Sequence, residues 1–246
     1  MIDGVLSTHT AALVDPYTDR PDVIGEPFYI QNELNFLVKR ANSLGMPVAI
    51  HAIGDRGVQM ALNAFEFSNH LNLANRVEHV EVIQPGTVER FRELNVTASM
   101  QPNHGTGVIG KYITPRIGSE REKFAYVWND FLKGGVRLAL SSDFATSPFS
   151  PLVQLFDAVF RESPTGLYDG AWYPEQRISF DEALYAYTQI GADLSGWGEE
   201  IGSITKGKWA DFVILDQRLN DPVGRELKDT LVSSTFFAGK EVYPKN

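Results

Sequence analysis

Four times between residues 46 and 162 a short apolar run, rich in small and β-branched residues, is followed by a segment with apolar positions at helical spacing. The pairs are MPVAIHA with DRGVQMALNAFEF, RVEHVEV with TVERFREL, VTASMQP with EREKFAYVWNDFLKGG after a long insertion, and VRLALSS with SPLVQLFDAVFRE. This alternation constrains the fold more than any other feature. Strands that read as continuous apolar runs are covered on both faces, and parallel strands need a crossover helix to return the chain to its starting end. A parallel α/β sheet is predicted, and a barrel or an open doubly wound sheet fits equally well.

The flanks add a helix over residues 28–44, stopped by Gly45, and another over roughly 179–194. Beyond these the pattern changes to GSITKGKWADFVILD and LVSSTFFAGKEVY, short strand-like runs punctuated by Gly and Lys. Residues 1–195 are therefore expected to form the α/β unit and residues 196–246 a small β portion. A complete barrel needs eight strands. Four units and at most one strand fragment before residue 28 make half of one. Its open edges would have to be covered by loops, by missing polypeptide or by a second copy, so self-association is expected.

With 43% hydrophobic residues among 246, the chain can bury a sizeable core. Lys and Arg number 22 against 31 Asp and Glu, a net charge of −9 that repels phosphate backbones and anionic membranes, so neither nucleic acid nor a membrane is an expected partner. No apolar run approaches the roughly 18 residues of a membrane span, and MIDGVLSTHT lacks the basic start of a signal peptide; a cytoplasmic protein is expected. There is no cysteine. Any catalytic metal must then sit on His and carboxylate ligands.

His51 ends PVAIH, His79 ends RVEH and Asp143 follows LALSS, each at the close of a predicted strand. The carboxyl ends of parallel strands share one side of the sheet, where α/β active sites form. Spacings of 28 and 64 residues, about one and two strand–helix units, allow the three to converge. Two neutral imidazoles and a carboxylate suit zinc or manganese, and an open coordination position would make bound water a nucleophile near neutral pH. A single histidine at a strand end is more often structural; three groups at equivalent positions are harder to dismiss.

Gln101 and His104, in SMQPNHG, would reach a substrate carbonyl or leaving group, or else fix their loop by hydrogen bonds. Asp55 and Arg56 open a helix, where the carboxylate is expected to cap backbone amides. His9 and His70 lie in polar stretches and read as solvated. Arg116, Glu120, Arg121, Glu122 and Lys123 read as an exposed helix start, with Arg116 near the mouth of the site.

PVAIHAIGDRGVQMALNAFE, RVEHVEVI, TASMQPNHG, ALSSDFATSPFSPL and GSITKGKWADFVILD, in this order, resemble the amidohydrolase superfamily. The similar branch is the YtcJ-like amidohydrolase-3 group, which includes N-substituted formamide deformylases. The resemblance implies a (β/α)8 metal-dependent hydrolase barrel with a β-sandwich built from both chain ends. It implies that His51 and His79 are metal ligands after strands five and six. Asp143 would follow strand eight, binding metal and taking a proton from the hydrolytic water. The implied cofactor is a divalent ion, zinc first and manganese or iron next, and the implied substrate is a small amide-like, N-formyl or cyclic amide-like molecule. The family's HxH pair and strands one to three have no counterpart here, and its bridging lysine would precede Ile2, Asp3 and Gly4. The resemblance is thus to the C-terminal half of a longer protein. The alternative is a catalytically inactive half-barrel that serves assembly or interaction.

Overall fold

The structure, a computed structural model, describes residues 1–163, 169–220 and 222–244. After an irregular N-terminal segment come α1 (Gln31–Ser43), β1 (Ala49–Ala52), α2 (Asp55–Ser68), β2 (Arg76–His79), α3 (Thr87–Glu93) and β3 (Thr97–Met100). Then follow α4 (Pro102–Thr106), α5 (Ile113–Glu122), α6 (Trp128–Lys133), β4 (Leu138–Leu140) and α7 (Pro151–Phe160). The chain closes with α8 (Phe180–Tyr187), α9 (Gln189–Leu194) and three strands, β5 (Phe212–Leu215), β6 (Val232–Phe237) and β7 (Lys240–Tyr243).

The predicted α/β organisation is present. β1 to β4 form one parallel sheet in sequential order, with Ile50 opposite Val77, Val77 opposite Ala98 and Ala98 opposite Leu138. Every residue of β3 and β4 is buried, the consequence of cover on both sheet faces. Phe91 of α3 and Phe131 of α6 pack edge to face, ring centroids 5.0 Å apart, in the same core. β5, β6 and β7 make a separate antiparallel sheet. No helix among the described residues is long and apolar enough to cross a membrane.

Three helix expectations are corrected. α1 starts at residue 31 rather than 28 because the amide of Phe28 is taken by the carbonyl of Ile2 (2.7 Å) and Ile30 is extended. The helix expected over 179–194 is two helices, divided at Thr188, whose backbone angles are distorted (φ −114°, ψ −76°) and whose hydroxyl bonds back to the carbonyl of Leu184 (2.7 Å). EREKFAYVWNDFLKGG is also interrupted. Residues 124–126 instead pair with the chain beyond β2, through Ile83 N to Phe124 O (3.2 Å) and Tyr126 N to Glu81 O (2.9 Å).

Candidate metal centre

The ends of the parallel strands build the site. His51 lies in β1 and His79 ends β2, after which His79 and Val80 both take positive φ (78° and 51°). That conformation is costly for a β-branched valine, and here it is imposed by the pairing of 81–83 with 124–126. The turn delivers Glu81 to the same cavity as His79. β3 runs directly into α4, with Pro102 in its first turn, so His104 follows the strand end by one helical turn. β4 gives way to Ser141, Ser142 and Asp143, and Asp143 again has positive φ (52°).

His51, His79, Glu81, His104 and Asp143 line one cavity of about 390 Å³, whose remaining wall is largely apolar, including Ile53 and Tyr112. The His51 and His79 rings meet edge to face at 4.5 Å, and His79 stacks with His104 at 5.8 Å between centroids. His104 stands between two carboxylates, with Nδ1 3.4 Å from Glu81 Oε1 and Nε2 3.7 Å from Asp143 Oδ2. Ligand atoms of His79, Glu81 and His104 all lie within 4.8 Å of one another. Burial pushes the His79 imidazolium pKa down, partly offset by Glu81, so the ring is held in the neutral form that ligates metals.

Gln101, expected at a substrate, is buried with its oxygen on His79 Nδ1 (2.9 Å) and its amide nitrogen on Ser141 Oγ (2.9 Å). Its observed contacts orient His79. Asp3 supports the other end: its carboxylate accepts from the amides of Ala12 (2.9 Å), Ile53 (3.0 Å) and Gly54 (2.8 Å) and lies 3.5 Å from His51 Nε2. Burial raises the Asp3 pKa, opposed by those amides. His51 Nε2 also contacts the Gly4 carbonyl (3.2 Å), leaving Nδ1 as its other ring nitrogen. Gly54 is required here because a Cβ would sit 2.1 Å from the Ala12 carbonyl oxygen.

Several expectations around the site change. Asp55 accepts from the amides of Val14 and Arg56 (both 2.9 Å) and from Gln84, so it ties the N-terminal segment to α2, and Gly54 occupies the cap position. His9 is not merely solvated; it contacts Asp19 (3.1 Å), which also pairs with Arg116. His70 Nδ1 is bonded to the Ser68 carbonyl (2.7 Å). Arg116 binds the carbonyls of Leu6 (3.2 Å) and Ser7 (3.0 Å), residues of the cavity wall. Glu122 belongs to no exposed helix start, being buried and accepting from Trp172 Nε1 (2.6 Å). Glu81 and Asp3 escaped the sequence reading. The signal for Glu81 was its place two residues after His79, the spacing that puts two strand residues on one face, although β2 itself ends at His79.

The donor set suits a divalent cation. Glu81 is buried, receives no side-chain hydrogen bond and has no Lys or Arg in ion-pair distance among the described residues, and the buried Nε2 of His104 has no hydrogen-bond partner. A cation compensates such a buried carboxylate, and Nε2 of His104, which faces Asp143, offers a lone pair to one.

Comparisons with known proteins agree. A family profile described as the amidohydrolase family matches residues 1–243. The putative amidohydrolase YtcJ of Bacillus subtilis is 30% identical over 99% of this chain and 46% of its own length. The N-substituted formamide deformylase of Arthrobacter pascens is 31% identical over 88% of this chain and 40% of its own. An uncharacterized metal-dependent hydrolase from Pyrococcus furiosus superposes with a TM-score of 0.73 at 35% identity, covering 84% of this chain and 41% of that one. The chain thus spans under half the length of the relatives it matches. With a profile match along almost its whole length and imidazoles and carboxylates gathered at the ends of parallel strands, this chain belongs to the amidohydrolase family.

Proposed function

We propose that this chain carries one side of the active centre of a metal-dependent hydrolase of C–N bonds in small amide-like, N-formyl or cyclic amide-like substrates. The observation that carries the reading is the shared cavity of three imidazoles and two carboxylates in a member of this family. The deformylase relative supports the bond type. In this reading the parallel sheet is part of a (β/α)8 barrel, residues 196–246 contribute to a β-sandwich, and the remaining strands come from outside this chain. The relatives' greater length supports that arrangement.

His51, His79 and Asp143 are the ligands we assign from the family pattern, and zinc suits them best, with manganese and iron as alternatives. When bound, a divalent ion supplies Lewis-acid polarisation of a carbonyl and acidifies water. Gln101 holds the His79 ring in orientation. Asp143, whose side chain lines the cavity and is 41% exposed, accepts a proton from water. As the water oxygen bonds to the carbonyl carbon and the C–N bond breaks, Asp143 returns that proton to the leaving nitrogen. The apolar wall around Ile53 and Tyr112 takes the substrate's substituent.

The test is hydrolysis of N-substituted formamides and simple amides by the zinc-loaded protein, with Asp143→Asn and a chelator as controls. Slow turnover that the chelator abolishes and Asp143→Asn lowers by about 10²-fold or more is expected. Chelator-sensitive turnover that survives Asp143→Asn overturns the assignment of the base. A second reading, a non-catalytic assembly module, is favoured by the chain's span of under half its relatives, and absence of turnover across the panel supports it.

A further inference from the structure

Resting on the hydrolase reading, we propose that Gln154 is a positioning residue of the site: it bridges the helix that carries His104 to the loop that carries Asp143 and so sets the distance between those two groups. Its side chain is fully buried in α7, a helix whose sequence, PLVQLFDAVF, is otherwise apolar apart from Asp157. A primary amide at such depth is costly unless its polar atoms are bonded. Here they are. Oε1 accepts from the backbone amide of Asn103 (3.1 Å), and Nε2 donates to Ser147 Oγ (3.1 Å) and to the Pro148 carbonyl (3.2 Å).

The need for such a bridge starts at α4. A helix's first amides have no partner inside it, and the side chain at the cap position ordinarily takes one. Gln101 holds the cap position of α4, but its side chain is committed to His79 and Ser141. The amide of Asn103 is left for a partner from elsewhere, and Gln154 supplies it from α7. Asp157, one turn further along α7, takes the Asn103 side chain, with Nδ2 donating to Oδ2 at 2.6 Å. Asn103 is thus held by both its main chain and its side chain, and His104 is the next residue.

The other arm reaches Asp143. Ser147 Oγ, which accepts from Gln154, donates to the carbonyl of Ser142, the residue before Asp143. The amide of Thr146 closes the same turn on the Asp143 carbonyl (2.8 Å). From Asn103 to Ser142 the bonds run unbroken through one amide side chain and one hydroxyl. His104 Nε2 and Asp143 Oδ2 face each other across 3.7 Å at the two ends of this path. Asp143 carries the proton in the proposed reaction, and a misplacement of about 1 Å at a reacting group can cost about 10²-fold in rate. An apolar chain in place of the amide would fill the volume and release both ends.

The experiment compares wild type with Gln154→Met, which keeps the length of the side chain and removes all three bonds, and with Ser147→Ala, which cuts only the arm to Asp143. Crystal structures of the purified proteins read the separation of His104 Nε2 from Asp143 Oδ2, and hydrolysis of N-substituted formamides is measured where every variant is fully folded. In Gln154→Met the separation should change by about 0.5 Å or more, and kcat should fall about tenfold or more with KM within about twofold of wild type. The double variant should lose no more than Gln154→Met alone, because both substitutions cut one path. An unchanged separation overturns the proposal, as does a changed separation with wild-type kcat, or losses that add in the double variant. Should Gln154→Met fail to fold, Ser147→Ala decides: a displaced Asp143 with lowered kcat supports the bridge, and an unmoved Asp143 or an unchanged kcat overturns it. Chelator-sensitive turnover with an unmoved pair removes the bridge and leaves the hydrolase reading standing. If wild type shows no turnover, the hydrolase reading falls and the separation alone decides the bridge.

Discussion

The chain contains two sheets of opposite character. The parallel sheet is buried on both faces over β3 and β4, and the groups of the candidate centre follow its strand ends. In the antiparallel sheet every residue of β7 is exposed and β5 and β6 are at most half-buried. Both are ordinary ladders of backbone hydrogen bonds. The difference is what stands on their faces. A strand pressed between helices cannot shift without disturbing its whole surroundings, so it holds a side chain to a fraction of an ångström. A strand with wet faces has no such anchor, and no residue of β5 to β7 lines the site cavity.

That contrast breaks most readily in the core. Phe131→Ala, at a fully buried ring packed on Phe91, is expected to cost about 3–5 kcal/mol in urea denaturation. A loss below about 1 kcal/mol would show that the parallel unit is not the rigid part.

A smaller effect, confined to pH, comes from Asp157 of α7. This carboxylate is buried, accepts from Asn103 Nδ2 (2.6 Å) beside His104, and has its pKa pushed up by burial to about 7. Because its folded pKa exceeds the unfolded value of 3.8, the folded state binds the extra proton between those two pH values. The stability this proton contributes is complete below the unfolded pKa and is lost as pH rises through about 7. Asp157→Asn cannot titrate and still offers Asn103 an acceptor. Its stability relative to wild type should therefore rise with pH between 5 and 7, by at most about 1.4 kcal/mol per unit. A flat difference in melting temperature across that range would mean that the network behind His104 is open to water.

The smallest effect sharpens the comparison from the other side. Val242→Ala, in exposed β7, should change stability by no more than about 0.5 kcal/mol. A loss of several times that amount would reveal a face of the small sheet that is covered in solution.

Much of the architecture was legible from residue order. Alternation of apolar runs with helical segments identified all four parallel strands; RVEH ends where β2 ends, and PVAIH ends one residue before the end of β1. The break at Thr188 and the interruption at 124–126 were not legible, since the apolar spacing on either side reads as continuous helix. At 124–126 backbone bonds to the chain beyond β2 override the local preference, and at Thr188 a side-chain bond to the Leu184 carbonyl accompanies the distortion. At the site, His51, His79, His104 and Asp143 were visible by type and position. Glu81 was not, nor was the role of Asp3 as acceptor for three amides, one nine residues and two about fifty residues away.

Sequence by itself determined the class of fold and the end of the sheet where chemistry gathers, because burial imposes a period on each element and crossover helices make the strands parallel. Only the tertiary structure decided which carboxylate faces which imidazole. That outcome depends on the left-handed turn at His79 and Val80, held by pairing with residues more than forty positions away, and no local pattern encodes such a partner.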